Sequence, residues 1–111
     1  MPTNPRPDLD HPPIDEVSLV AVLHALADRT RLTIVETLTR DTQGRACGTF
    51  PVDVAPSTLS HHFRVLREAG VIRQEERGNR RWTMLRADEV DERFPGLLRA
   101  VVAASTLGST V

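Results

Sequence analysis

The chain has one cysteine and no long apolar run, and each shortage excludes a class of protein. Cys47 has no second cysteine with which to form an intrachain disulfide, which favours a reducing compartment. The longest apolar run is far shorter than the roughly 20 residues of a membrane-spanning helix, and no signal peptide is visible at the N-terminus. We therefore expect a cytoplasmic protein that does not interact with a membrane.

Catalytic patterns are also lacking. The sequence contains no glycine-rich loop for phosphate, and no nucleophile or pair of carboxylates can be assembled with a nearby base. With 111 residues, the chain is expected to form one domain with a modest core. The sequence therefore predicts a small domain that is not an enzyme.

Lysine is absent, so all 14 residues counted as lysine or arginine are arginine, and the formal net charge is only −1. The charges are unevenly distributed, however. Residues 61–86 contain seven arginines and three glutamates, a local excess of four positive charges. A basic patch of this kind is the electrostatic footprint of nucleic-acid binding, which depends on charge distribution more than on the total.

Residues 55–70 have the pattern of a short amphipathic helix. Pro56 suits the first helical position, and Gly70 suits a left-handed stop after the last turn. Leu59, Phe63 and Leu66 form an apolar stripe, and His62 lies close enough to it to be a buried, hydrogen-bonded imidazole. The opposite face carries hydroxyl, imidazole and guanidinium groups, which bind base edges and phosphates in a major groove. We interpret this segment as a DNA recognition helix.

Two short predicted strands, residues 71–77 and 81–86, follow the recognition helix. They flank Gly78-Asn79, a dipeptide suited to a tight hairpin turn. Arginines cluster at the tip of this hairpin, and Trp82 is expected to pack within it. A hairpin with a cationic tip beside a recognition helix predicts a winged helix-turn-helix, a mainly α fold with a β-hairpin wing.

The segments before the recognition helix are less regular. Residues 1–13 contain five prolines and predict a disordered arm. Residues 14–27 predict an almost wholly apolar helix, with Asp15 and Glu16 in its first turn. Asp28 can cap the next helix, which carries an inward stripe of leucine and valine and ends at residues 41–44. Residues 45–54 predict one short turn around Thr49 and Phe50 and then a loop.

The C-terminal part predicts two more helical segments. Residues 88–94 have the pattern of a capped acidic turn, which Pro95-Gly96 interrupts, and residues 97–104 are strongly apolar. We expect one folded domain over residues 14–105, followed by a flexible tail over residues 106–111. The first and last helices are apolar enough that a second subunit is expected to cover them, giving a dimer.

Three segments together resemble the ArsR/SmtB family of bacterial winged-helix regulators. They are Leu26-Ala-Asp-Arg-Thr-Arg-Leu, Pro56-Ser-Thr-Leu-Ser-His-His-Phe-Arg-Val-Leu-Arg-Glu-Ala-Gly-Val-Ile and Arg77-Gly-Asn-Arg-Arg-Trp. The resemblance spans about residues 17–104 and implies a homodimer on a palindromic operator, with recognition helices about 34 Å apart. It implies that Ser57, Thr58, Ser60, His61 and Arg64 bind in the major groove, and that Arg77, Asn79 and Arg80 reach the backbone or minor groove. Arg67 and Arg81 complete the predicted DNA-binding set.

The familiar metal sites of this family are not intact. Many members place two or more cysteines before the recognition helix, where this chain has only Cys47, and others combine histidines with carboxylates on the last helix, where this chain has no histidine. Alternative ligands for Ni²⁺ or Zn²⁺ are His11, His24, Asp8 and Asp10. A solvated arm and an interface histidine are the simpler explanations of these residues and are preferred. Cys47 is either a redox switch or an unreactive thiol.

The sequence thus predicts a transcription regulator whose DNA-competent dimer is favoured or disfavoured by an effector. A co-regulator protein is a further expected partner, besides the operator and the second subunit. The alternative is a winged-helix protein-interaction module whose DNA face is degenerate. Salt-sensitive binding to a specific duplex distinguishes the two.

Overall fold

The computed structural model describes residues 11–107, which contain five α-helices and a three-stranded antiparallel sheet. The helices are α1 (Leu19–Leu26), α2 (Arg29–Arg40), α3 (Pro56–Glu68), α4 (Ala87–Arg93) and α5 (Leu97–Leu107); the strands are β1 (Arg45–Ala46), β2 (Ile72–Arg77) and β3 (Arg80–Leu85). The sheet order is β1-β3-β2. Since α2 and α3 precede the β2–β3 hairpin, the fold is a winged helix-turn-helix, as the sequence predicts.

The apolar core lies between the helices and the base of the wing. Phe63 and Leu66 on α3 are buried, and the Phe63 ring meets that of Phe50 edge to face with centroids 5.3 Å apart. Other fully buried members come from α1, α2 and β2: Val22, Ile34, Val35, Leu38 and Ile72. The inward face of α3 is thereby fixed, and its other face is left exposed.

The helix starts show one confirmed prediction and one error. Asp28 caps α2, because its carboxylate accepts a hydrogen bond from the Arg31 backbone N–H at 3.0 Å. The first long helix, however, begins at Leu19 and not near residue 14, since Ser18 supplies the cap by accepting from Ala21 N at 3.0 Å. Residues 14–16 form a separate 3₁₀ turn, which ends where extended Val17 enters the core.

Gly70 ends the α3 region as predicted, with a positive φ of 89°. A side chain there would also collide with Val17, because an added Cβ would lie 2.4 Å from Val17 Cγ2. The position therefore excludes other residues for two reasons, backbone conformation and space. Val17 is extended and buried between the 3₁₀ turn and α1, so the helix does not run continuously from residue 14.

The region of residues 45–54 contains a strand that the sequence pattern did not indicate. Arg45 and Ala46 pair with Thr83 and Trp82 on β3, and the short 3₁₀ turn covers Cys47–Thr49, slightly earlier than expected. Two residues are too few to show the alternation by which a strand is recognised. The predicted cap of the acidic helix is also wrong, since α4 follows Arg86 without a side-chain cap.

Both predicted termini fall partly outside the described residues. The end of the predicted arm is packed on the wing and is not a disordered segment: His11 Nε2 accepts from Gln74 N at 3.0 Å, and Pro12 O accepts from Arg86 Nη1 at 2.9 Å. At the other end, α5 includes residues 106 and 107, which the sequence assigned to the tail. Between residues 11 and 107, no helix combines the length and apolar character needed to cross a membrane.

Candidate nucleic-acid interface

The outward face of α3 presents the polar groups that the sequence singled out. The exposed members of the predicted set on this helix are Ser57, Thr58, Ser60, His61 and Arg64. Helix α3 begins with Pro56, and no side chain caps its first turn. The early backbone N–H groups of α3 thus have no side-chain acceptor, and a helix N-terminus in this state can bind an anionic oxygen.

The inward face of α3 is held by a buried arginine. Arg31, which is 8% exposed, donates from Nη1 to His62 Nδ1 at 3.0 Å and from Nε to Ala25 O at 2.7 Å. A guanidinium can only donate, so Nδ1 is the acceptor and the proton of a neutral imidazole lies on Nε2. The prediction of a buried, hydrogen-bonded His62 is confirmed, and Arg31 joins α3 to the end of α1.

Asp28 completes this inner contact. Its Oδ2 lies 3.8 Å from His62 Nδ1, in addition to capping α2. Burial disfavours the charged form, but the hydrogen bond from the Arg31 backbone and the charge of the Arg31 guanidinium outweigh it and lower the pKa of the Asp28 carboxyl. One carboxylate therefore caps α2 and lies beside the Arg31–His62 hydrogen bond that holds α3.

Two of the wing arginines are paired with glutamates, so the wing offers less positive charge to DNA than its number of arginines indicates. Arg77 donates to Glu75 through both Nε (3.1 Å) and Nη2 (2.9 Å), and its guanidinium lies 4.7 Å from the centre of the Trp82 ring. Arg81 forms the same two-nitrogen contact with Glu76, at 3.2 and 3.0 Å. Both arginines are exposed, yet each is already neutralised by a glutamate of the same hairpin.

Arg64 and Arg80 differ from these two. Arg64 lies on the exposed face of α3, and Arg80 lies beside the Gly78-Asn79 turn at the wing tip. Neither side chain has a hydrogen bond or ion pair within residues 11–107. They are therefore the members of the predicted set whose positive charge is available to a phosphate without the loss of an internal contact.

Arg67 is placed differently from the rest of the predicted set. It is half-buried, and its Nη1 donates to Gln74 Oε1 on β2 at 2.7 Å. Gln74 is itself 3% exposed. Gln74 was not among the residues predicted from the sequence, although its position two residues after buried Ile72 places both side chains on one face of β2. Periodicity also places Arg31 inward, three and four residues before Ile34 and Val35.

The base of the wing is fixed by a second carboxylate contact. Glu89 accepts from Nε of Arg86 at 2.8 Å and from Nη2 at 3.2 Å, and Arg73 Nη2 lies 3.6 Å away. The hydrogen bond from Arg86 is the main cause of the lowered pKa of Glu89. Since Arg86 is only 5% exposed, this pair anchors α4 to the end of β3.

The metal and redox candidates are not brought together. Asp8 and Asp10 lie outside the described residues, His11 bonds to the backbone of β2, and His24 is exposed on α1. In the part of the chain from residue 11 to residue 107, no three histidine, cysteine, aspartate or glutamate side chains are grouped as a metal ion requires. Cys47 Sγ lies 3.2 Å from Thr83 Oγ1, whereas Arg45 bonds to Thr49.

An exposed polar recognition helix beside a β-hairpin wing defines a winged helix-turn-helix of the DNA-binding type. Residues 26–75, which include α2 and α3, match the family described as a helix-turn-helix domain. Over 89 residues, which are 78% of this chain and 89% of the relative, the chain is 29% identical to YceK of Bacillus subtilis (strain 168), named an uncharacterized HTH-type transcriptional regulator. The fold and both similarities agree on a helix-turn-helix protein, and the name of the relative is that of a transcription regulator.

Proposed function

We propose that this protein is a sequence-specific transcription regulator of the ArsR/SmtB type, which binds a palindromic DNA operator as a homodimer. The observation that carries the proposal is the outward face of α3. Its hydroxyls, His61 and Arg64 are exposed and make no side-chain hydrogen bond or ion pair within residues 11–107, while the inward face is fixed by Arg31 and the core. A rigid helix with an unengaged polar face meets the requirement for reading base edges in a major groove.

The wing provides the second contact in this proposal. Arg80 and Asn79 lie at the hairpin tip, where a cation and an amide would reach the DNA backbone or the minor groove. If Arg64 and Arg80 each neutralise one phosphate, a dimer makes about four such contacts and its log–log salt slope is about −3.6. The pairing of Arg77 and Arg81 with glutamates keeps this value below the one that a count of arginines would give.

The proposed dimer is supported by the apolar surface of α1. Leu19, Val20 and Leu23 are 43%, 75% and 44% exposed. Three large apolar side chains on one short helix are costly in water, and a second copy of the chain would cover them. Helix α5 adds Leu107, which is 84% exposed, so a two-fold contact through α1 and α5 is the arrangement that we propose.

Binding-site selection from a pool of randomised duplexes tests the function. The tag-free protein should enrich a palindromic sequence with half-sites one helical turn apart, and binding to that duplex should weaken steeply with salt. A scrambled duplex of the same composition is the control. Absence of any enriched sequence, or a protein that stays monomeric at the concentrations at which it binds, would contradict the proposal.

We also propose that an effector shifts this dimer between states of different DNA affinity, and Ni²⁺ or Zn²⁺ is one candidate. The support is the family resemblance and the donor chemistry of His11, His24, Asp8 and Asp10. Since no suitable group of three donors lies within residues 11–107, a site would have to use Asp8, Asp10 or the second subunit. Calorimetric titration with each metal tests this, and no binding in the micromolar range removes the metal.

A second candidate function is a protein-interaction module, acting alone or through a co-regulator. The Glu75–Arg77 and Glu76–Arg81 pairs favour it, because they reduce the positive charge that the wing offers to DNA. Duplex binding distinguishes the two functions. If the folded protein binds none of the randomised duplexes at low salt, the interaction module is favoured.

A further inference from the structure

A buried amide on the wing connects the wing to the recognition helix. Gln74 Oε1 accepts from Arg67 Nη1 on α3 at 2.7 Å, and Gln74 Nε2 donates to Thr83 Oγ1 on β3 at 3.1 Å and to Cys47 Sγ at 3.3 Å. These four residues, Arg67, Gln74, Thr83 and Cys47, are named the Gln74 joint below. Thr83 is fully buried and Gln74 nearly so. One side chain thus contacts α3, β3 and the turn after β1.

Packing alone does not explain an amide at this position. A leucine would fill a similar volume without the cost of burying polar atoms. The Arg67 side chain gives the amide a role, because Arg67 Nε is buried without a partner and Nη1 makes the guanidinium's one hydrogen bond within residues 11–107. With Gln74 removed, a half-buried charge would keep no acceptor, so the bond to Gln74 determines where Arg67 lies.

The Gln74 joint lies at the point from which α3 and the wing extend in different directions. Arg67 is in the last turn of α3, ten residues from Ser57, which is about 15 Å along a helix. Gln74 is three residues before the end of β2, so the wing tip begins about 10 Å away along the strand. A rotation of a few degrees at the joint therefore displaces the ends of both elements by about an ångström, which is enough to misalign hydrogen bonds.

We propose that Gln74 is a positioning residue for operator recognition. By holding Arg67, it sets the angle between α3 and the wing, so that Ser57 to Arg64 and Arg80 reach the same duplex simultaneously. Gln74 itself touches no DNA in this account, and Arg67 acts chiefly through the joint. The inference rests on the proposed function, since it concerns the DNA that such a regulator would select.

The test compares specific with non-specific affinity. Gln74→Leu should bind the duplex selected by the wild-type protein about tenfold more weakly, the loss expected for one misplaced base contact. Its affinity for a scrambled duplex of the same composition should fall much less, because non-specific phosphate contacts can be made in more than one register along the backbone, whereas base contacts cannot. Fluorescence anisotropy with both duplexes at one salt concentration gives the ratio of affinities.

Thr83→Val is the matched control. It removes a hydrogen bond of the same buried joint but leaves Arg67 on Gln74, so it should lower the thermal midpoint without changing the affinity ratio. Gln74→Leu introduced into an Arg67→Met chain should have no additional effect on the ratio, because the proposed action passes through Arg67. If Gln74→Leu does not fold, Gln74→Asn, which is one methylene too short to reach Arg67, is measured against the same criteria.

The outcomes separate this inference from the function on which it rests. A lowered ratio for Gln74→Leu with an unchanged ratio for Thr83→Val supports the positioning role. Equal effects of the two variants, or an unchanged ratio for Gln74→Leu, overturn it while the regulator remains established by the wild type's own selectivity. A wild-type protein that does not distinguish the two duplexes overturns the proposed function and this inference together.

Discussion

His61 and His62 are neighbours in the chain and their ring centres are 5.9 Å apart, yet only one of them faces the core. His61 is exposed, whereas His62 is 9% exposed and accepts a hydrogen bond from Arg31. The arginines of this region divide in the same way: Arg64 on the outer face has no internal partner, and Arg67 on the inner side bonds to Gln74. Residue type alone therefore does not identify a DNA contact; what matters is whether the group is already engaged.

The largest expected effect comes from the inner face. Arg31→Met should lower the free energy of unfolding by about 3 kcal/mol, because the acceptors on Ala25 and His62 lose a charged donor in a buried site. Urea unfolding at pH 7, at one fixed protein concentration, measures it. The matched control is Arg29→Met: Arg29 is exposed and its side chain makes no hydrogen bond or ion pair within residues 11–107, so its loss should change stability by less than about 0.5 kcal/mol. If the two variants lost the same free energy of unfolding, the buried arginine would contribute no more to stability than an exposed one, and the comparison of the two faces would fail.

The outer face should show the opposite behaviour. Arg64→Ala should weaken operator binding by about tenfold and leave the free energy of unfolding within about 0.5 kcal/mol of wild type, because the Arg64 side chain makes no hydrogen bond or ion pair within residues 11–107. Arg40→Ala is the control, since it removes the same charge from an exposed position at the end of α2. Anisotropy and urea unfolding on the same preparations measure both quantities. Operator binding at wild-type strength would show that the contact face is wrongly assigned.

A smaller effect should separate the two kinds of wing arginine. Arg80→Ala should reduce the magnitude of the log–log salt slope of a dimer by roughly two, one ion for each subunit. Arg81→Ala should reduce it by less, because Glu76 already neutralises that guanidinium. Operator affinity measured at four or more salt concentrations gives both slopes. A larger change for Arg81 than for Arg80 would mean that the wing glutamates release their arginines on DNA.

The smallest effect concerns pH and the inner face. The folded-state pKa of Asp28 is lowered, so its charge stabilises the fold above the unfolded pKa, and this contribution is lost as the pH falls through the folded pKa. Asp28→Asn retains a good cap and removes the charge. The free energy of unfolding of the wild type should therefore exceed that of the variant by less than about 1 kcal/mol at pH 7. The difference should shrink below pH of about 4. Urea unfolding from pH 7 to pH 2.5 tests this, and a difference that is constant with pH would contradict it.

Much of the candidate interface could be predicted from local patterns. The amphipathic period of α3, Pro56 at its start and Gly70 after its end determine the helix and its exposed face, and Gly78-Asn79 determines the hairpin. The start of α1 was predicted too early, although Ser18 is a local cap signal. What local patterns do not show is that extended Val17 packs against Gly70. Strand β1 was missed for a similar reason: its two residues are a strand only because β3 lies beside them.

The sequence by itself determined which side of α3 faces outward, where the wing turns and that Asp28 caps α2, because each of these depends on residues within a few positions of one another. Only the tertiary structure decided which arginines are available. Arg67 meets Gln74 seven positions away, and Arg31 meets His62 across 31 positions. Such contacts form between elements that packing brings together, and the hydrophobic periodicity of the sequence does not predict them. The physical reason is that a charge becomes a binding group or a structural group according to its neighbours in space.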